Sequence, residues 1–383
     1  MPPIHINRRR FLGCSAAAGW ALSQGRPVEA VDPSSPVRIG VVGLGNRGTS
    51  LLRTLLDLPD AEIVALADAD DKNRTRGGGI VEKAKGLRPD CLDGIDAMLA
   101  RDDIEALVVA LPCDLHASTY RSTLRAGKHL YGEKPLALTL EECDAIEAEA
   151  TSAPSLIVHV GHQRRSNPLY QDGVARLRRG DLGELIEATA AWVSSNGPVN
   201  GHDNWLASRE RSGDWMVEQG VHVWDLLHWI AGGPPTRAFG MGRRDLFTAA
   251  QPRRDVTDHY SVQLEWAGGF RATFQQSWAA PADDAFTGSS MRVVGRGGGL
   301  DFSTGSVTYR DRSRPRVTMP PARQVDTKLA LASFLAAVRL PEPVAPPISL
   351  AEAREATLTG LLVRKAVDEG RVVTLDEILA ARA

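Results

Sequence analysis

Val37-Arg38-Ile39-Gly40-Val41-Val42-Gly43-Leu44-Gly45-Asn46-Arg47-Gly48 is the stretch that decides the fold. It is a short apolar run, the length of a buried strand, that ends in a glycine cluster and opens a helical pattern over residues 47–58. Gly43, Gly45 and Gly48 stand in G-x-G-x-x-G spacing. Glycines so placed make a tight turn and let backbone N–H groups approach a pyrophosphate on the positive end of the helix. Gly43, Leu44, Gly45, Asn46 and Arg47 are therefore candidate cofactor-binding residues. Asp68 ends the next apolar run, where a carboxylate can hydrogen-bond a ribose 2′-hydroxyl and repel a 2′-phosphate. The expected cofactor is NAD, with NADP disfavoured.

Outward from this stretch, apolar runs at 37–42, 62–67, 106–111, 129–133 and 156–161 alternate with helical patterns at 47–58, 116–126 and 139–152. That βαβ rhythm implies a parallel sheet with helices on both faces. Residues 71–88 read as a poorer helix, interrupted by Gly77-Gly78-Gly79. Beyond Gly161 the period changes to two at 186–194, 260–266 and 270–277, with Ala267-Gly268-Gly269 joining the last pair as a hairpin. One helix is expected over Trp215–Ile230 and a last one over Leu350–Glu369, with Gly370 as its stop. The fold class is α/β: a dinucleotide-binding Rossmann domain over 36–160, then an α+β domain over 161–383 with a large, open, mainly antiparallel sheet.

The chain has 383 residues, more than one core of ordinary size. It carries 45 Lys+Arg against 47 Asp+Glu, so it has no basic field to hold nucleic acid. Residues 1–30 differ in character. Arg8-Arg9-Arg10 precedes a modest apolar stretch, and Val28-Glu29-Ala30 offers small residues for a signal peptidase. This is the pattern of a twin-arginine signal, so the twin-arginine export machinery is an expected partner and the periplasm the expected location. No membrane anchor is expected. Cys14 lies too close to the arginines for a lipoprotein box. Cys91, Cys113 and Cys143 remain after cleavage, with no CxxC or Cys/His cluster for zinc.

Tyr131-Gly132-Glu133-Lys134-Pro135 follows Ala126-Gly127-Lys128-His129-Leu130. With Pro112, His116 and Val160-Gly161-His162-Gln163-Arg164-Arg165, it resembles the Gfo/Idh/MocA family, the glucose–fructose oxidoreductase and inositol dehydrogenase group. The resemblance runs over residues 37–380. It implies Lys134 as a catalytic lysine beside the nicotinamide, a cis Lys134–Pro135 bond, and Leu111, Pro112, His116 and Glu133 along the cofactor. It also suggests a homo-oligomer, a dimer or tetramer. A lysine at the carboxyl end of a buried strand is partly desolvated, which would lower its pKa.

In the expected helix, Glu218 and His222 share a face and Asp225 continues it. The family pattern there is Asp-x-x-x-His, the histidine acting as acid/base and the carboxylate ordering it. With Glu at 218, either Glu218 or Asp225 would orient His222. His228 falls about 240° around the helix from His222, so no metal site is expected. Five tryptophans (Trp192, Trp205, Trp215, Trp224, Trp229) crowd this region, and indole faces stack on sugar rings. Most are read as core. Arg164, Asn167, His202, Asn204 and Trp205, with His222, are candidate sugar contacts.

The expectation is an exported NAD-dependent oxidoreductase of a sugar, sugar acid, polyol or glycoside hydroxyl. Its cofactor would be loaded before export and recycled by a second substrate. The alternative is a redox-neutral glycosidase that transiently oxidises C3. The branch of the family that works this way carries Thr-His-Gly where this chain has Glu218–His222. A sugar sensor without catalysis would leave Lys134 and His222 unexplained.

Overall fold

The apolar runs of the first half become strands buried on both faces. The computed structural model describes residues 35–195, 197–198, 202–321, 325–340 and 345–381. The expected export signal, residues 1–30, and the side chain of His202 lie outside what is described. Six strands form one sheet: β1 (Val37–Val42), β2 (Ala61–Ala67), β3 (Asp90–Leu92), β4 (Ala106–Val109), β5 (His129–Gly132) and β6 (Val158–Val160). Their order is β3-β2-β1-β4-β5-β6 and every pairing is parallel. The chain order reverses between β1 and β4, and such sheets take ligands beyond the carboxyl ends of the strands at that point.

Helices α1 (Asn46–Leu56), α2 (Asp71–Lys85), α3 (Ile95–Leu99), α4 (His116–Arg125) and α5 (Leu140–Ser152) join these strands. The three glycines expected to interrupt α2 do not. A Cβ at Gly77 would stand 2.9 Å from Leu44 Cδ1, and one at Gly78 2.9 Å from the Arg88 guanidinium. They let the helix lie close on its neighbours.

After α6 (Pro168–Arg178) comes a second sheet, of nine strands. These are β7 (Leu185–Val193), β8 (Arg237–Arg243), β9 (His259–Glu265), β10 (Arg271–Ser277), β11 (Gly288–Gly295), β12 (Gly298–Asp301), β13 (Ser306–Tyr309), β14 (Val317–Thr318) and β15 (Val373–Thr374). They run in the order β14-β13-β12-β11-β7-β10-β9-β8-β15. All pairs are antiparallel except β7 with β10, so the sheet is mixed but mainly antiparallel. The β9–β10 hairpin turns where the alternation predicts.

Between β7 and β8 lie α7 (Arg209–Ser212), α8 (Trp215–Glu218) and α9 (Val221–Ala231). Here the structure corrects the sequence reading: Trp215–Ile230 is not one helix. The Trp224 indole donates to the Met216 carbonyl at 2.7 Å, taking the acceptor a continuous helix would use. The Gly220 N–H reaches back to the Trp215 carbonyl instead, also at 2.7 Å, and the helix breaks at Gln219-Gly220. A Cβ at Gly220 would stand 2.8 Å from that indole, so the break depends on glycine.

The chain ends with α10 (Asp326–Arg339), α11 (Leu350–Glu369) and α12 (Leu375–Ala380), and α11 stops at Gly370 as predicted. α10 returns to the first sheet, where Leu331, Phe334 and Leu335 join Val37, Ile39 and Leu51. On the opposite face Ile348 and Ala353 join Leu107, Val109 and Ile146. No described helix is long and apolar enough to cross a membrane.

Candidate active site

The glycine loop leaves β1 at Gly43, where φ is +82 and a Cβ would sit 2.3 Å from the Ala110 carbonyl. Gly48 packs α1 onto that turn, since a Cβ there would lie 1.8 Å from the Gly43 oxygen. Gly45 is different: nothing lies within 4 Å of a Cβ built on it. No side chain caps α1, so its first N–H groups stay available beside that open space. An uncapped helix start under an open glycine fits a dinucleotide pyrophosphate. Asp68 reaches the same loop. Its carboxylate accepts from the Leu44 N–H at 2.6 Å and the Asp70 N–H at 2.8 Å. Leu44 itself is fully buried and Asn46 exposed.

Arg47 crosses to the next loops. Its Nε donates to Glu133 Oε1 at 2.7 Å, and Nη1 meets Thr327 Oγ1 at 3.3 Å. His116 is fully buried, with Nδ1 2.7 Å from the Pro135 carbonyl and Nε2 3.0 Å from the Leu111 carbonyl. It therefore braces the loops after β4 and β5, and can serve a cofactor only by shaping Leu111-Pro112 and Glu133-Lys134. The Lys134–Pro135 bond is cis.

Lys134 projects from the carboxyl end of β5 into contact with α8. Its Nζ donates to the Glu218 carbonyl at 2.7 Å and to the Glu218 carboxylate. The lowered pKa expected from burial is not what results. Burial pulls the ammonium down, but Glu218, Cys113 and Glu133 outweigh it and hold the pKa above the ordinary lysine value. The position of Glu218 is set by Asp214, at φ +70, which starts α8 by accepting from the N–H of Trp215 at 2.7 Å. It also accepts from Thr257 N–H and Oγ1.

His222, 7% exposed, enters from the other side of the helix break. Burial, then the charges of Lys134 and Arg164, press its pKa well below 6.5, so it is a neutral imidazole. Neither carboxylate orients it. Glu218 is taken by Lys134, and Asp225 by Arg165 at 2.7 Å. His222 Nδ1 has no hydrogen-bond partner among the described residues. Edge-on to it, at 6.1 Å between ring centres, is His162, which the sequence reading passed over. Both His162 nitrogens are buried without a hydrogen bond, and burial holds its pKa down at about 3. The signal available was position: it directly follows the last strand of the first sheet.

Trp192 on β7 lies 6.1 Å from His222, and the Arg164 guanidinium sits 4.8 Å over its ring. Other substrate candidates scatter. Asn167 caps α6 by accepting from the Leu169 N–H at 3.0 Å and is 4% exposed. Asn204 is exposed at φ +55, and Trp205 packs beside Cys113, Leu138 and Val217. His228 bonds Thr359 at 2.9 Å, away from His222.

Residues 37–162 match the oxidoreductase family model with an NAD-binding Rossmann fold, and residues 170–301 match the GFO/IDH/MocA C-terminal domain. An alpha-N-acetylgalactosaminidase of Shewanella oneidensis is 30% identical over 312 residues, 70% of this chain and 66% of that protein. The chain thus spans just under two thirds of that relative, and as little as 35% of a glycosyl hydrolase family 109 protein of Shewanella sp.. Many solved structures share the fold, and two serve as examples. One is a putative NADPH-dependent oxidoreductase from Desulfitobacterium hafniense, with TM-score 0.75, 20% identity and 90% and 99% of the two chains covered. The other is a scyllo-inositol dehydrogenase from Lactobacillus casei with bound NAD(H) and scyllo-inositol, with TM-score 0.72, 17% identity and 89% and 100% covered. With both of its domains matched across most of its length, the chain belongs to the Gfo/Idh/MocA family of oxidoreductases.

Proposed function

We propose that the protein oxidises a ring hydroxyl of a sugar, polyol or glycoside with NAD. The observation that carries this is the pairing of a neutral His222 with a Lys134 held charged by Glu218, both beyond the carboxyl ends of the parallel strands. Bound nicotinamide supplies the hydride acceptor. His222 is suited to take the hydroxyl proton, because a neutral imidazole is already the base form. The Lys134 ammonium donates a hydrogen bond to the same oxygen as it gains negative charge. Glu218 holds that ammonium in place. Asp68 favours NAD over NADP, since its carboxylate at the loop repels a 2′-phosphate.

We further place the reaction in the periplasm, on the strength of Arg8-Arg9-Arg10 and the small residues at 28–30. There the cofactor must arrive bound and be recycled by a second substrate. Protein released from the periplasm should then carry nearly one NAD(H) per chain. Cofactor-free protein with weak NAD affinity would rule this out.

The relative named alpha-N-acetylgalactosaminidase favours a second reading, a glycosidase in which the hydride is borrowed and returned. Both readings share the first half-reaction, so Lys134 and His222 keep their roles. A panel of sugars and nitrophenyl glycosides separates them. Accumulating NADH without chromophore supports net oxidation, and chromophore release without net NADH supports the glycosidase. A Lys134→Ala variant that retains full activity would overturn both.

A further inference from the structure

We infer that the substrate carries a carboxylate and that Arg164 receives it, with Gln219 as a neutral donor beside it. This rests on the sugar-oxidoreductase reading and narrows its substrate class to a sugar acid.

Among the described residues, the cations around the site are paired except for one. Lys134 is paired with Glu218, Arg47 with Glu133 at 2.7 Å, and Arg165 with Asp225 and Glu352 at 2.7 and 2.8 Å. Arg164 lies half-buried over Trp192, and no carboxylate or hydrogen-bond partner meets it among the described residues. A guanidinium resting on an indole face keeps its edge N–H donors free to grip a planar carboxylate. Its charge reaches the reacting centre, where it helps keep His222 neutral.

A second spare donor is fixed by a chain of hydrogen bonds behind it. The Tyr260 hydroxyl is buried and has one partner, Gln276 Oε1, at 2.6 Å. It must donate, because accepting would leave its own proton orphaned. The Gln276 carboxamide is thereby oriented, and its NH2 group donates to Gln219 Oε1. The NH2 group of Gln219 is left without a hydrogen-bond partner among the described residues. Gln276 is the register partner of Trp192 across β10 and β7, so the residue that holds Gln219 is the sheet neighbour of the indole that carries Arg164. Sugar hydroxyls donate as well as accept, and pockets for them need acceptors too. Arg164 and the Gln219 NH2 group only donate, and Arg164 is charged. A single cation matches a carboxylate better than a phosphate dianion.

The test uses the purified full chain with NAD, following NADH formation and ligand-dependent melting. The probes are glucuronate, galacturonate, their neutral parents glucose and galactose, and glucose 6-phosphate. The uronates should show a KM at least about tenfold below that of their parents. Arg164→Met should raise the uronate KM about ten- to a hundredfold, and by much more than it raises the KM of the neutral parents. Gln219→Glu, which presents an anion to the carboxylate, should raise it as well. A melt without sugar checks that each variant folds, and Arg164→Lys, which keeps the charge without the fork, should fall between. NADH from neutral sugars in preference to uronates, or tighter binding of the phosphate, overturns the inference and leaves the oxidoreductase reading standing. Arg164-dependent stabilisation by uronates without any hydride transfer does the reverse. Equal effects of Arg164→Met on both sugar classes also overturn the inference.

Discussion

At Lys134 two forces oppose each other: burial works against the ammonium, and the carboxylate of Glu218 holds its charge. Removing the carboxylate without changing its shape lets burial win. Glu218→Gln should therefore move the alkaline limb of kcat/KM to lower pH by about one unit or more, because opposite charges at contact shift a pKa by that much. An unmoved limb, measured with saturating NAD, would mean that Lys134 does not govern that limb. Lys134 and His222 were legible in the sequence because each stands in a contiguous motif. The partner of Lys134 was not, since the placing of Glu218 turns on an indole eight residues from the carbonyl it captures. Gln219 was invisible for a related reason. Its partner Gln276, and the Tyr260 that orients Gln276, arrive on strands far along the chain.

The glycine loop and α1 show how one motif divides labour among its residues. Gly48 is filled by the backbone of its own turn, whereas the space above Gly45 is empty. Gly48→Ala should destabilise the fold by about 3 kcal/mol, as an overpacked contact does. Gly45→Ala should leave the melting temperature of the cofactor-free protein nearly unchanged and weaken NADH binding, read by fluorescence titration. Equal losses of stability in both variants would remove the distinction. The alternating strands and the βαβ rhythm made the two sheets readable before any coordinates. What stayed hidden were elements whose pattern depends on contact. α2 continues through three glycines because Leu44 and Arg88 press on it, and α8 separates from α9 because a tryptophan intercepts a carbonyl.

Across the whole molecule, buried histidines set the acid limit. Burial lowers His159 to about 4, and His162 and His228 to about 3. The unfolded chain binds protons on these rings near 6.5 and the folded chain does not, so stability present above that pH is lost as pH falls toward 4. Asp225, raised to about 6 by burial against the pull of Arg165, acts with the opposite sign and offsets part of one ring. The net loss from pH 7 to pH 5 should be on the order of 5 kcal/mol, visible as a falling urea midpoint. A flat midpoint over that interval would mean the rings are accessible. The return of α10 to the first sheet has a consequence for synthesis. Phe334 and its neighbours finish one face of that sheet and Ala353 the other. A ribosome that has released only the first 320 residues therefore exposes both halves of an unfinished nucleotide domain. Folding must wait for nearly the whole polypeptide, and no nascent stretch short of α11 should resist a protease as the full chain does.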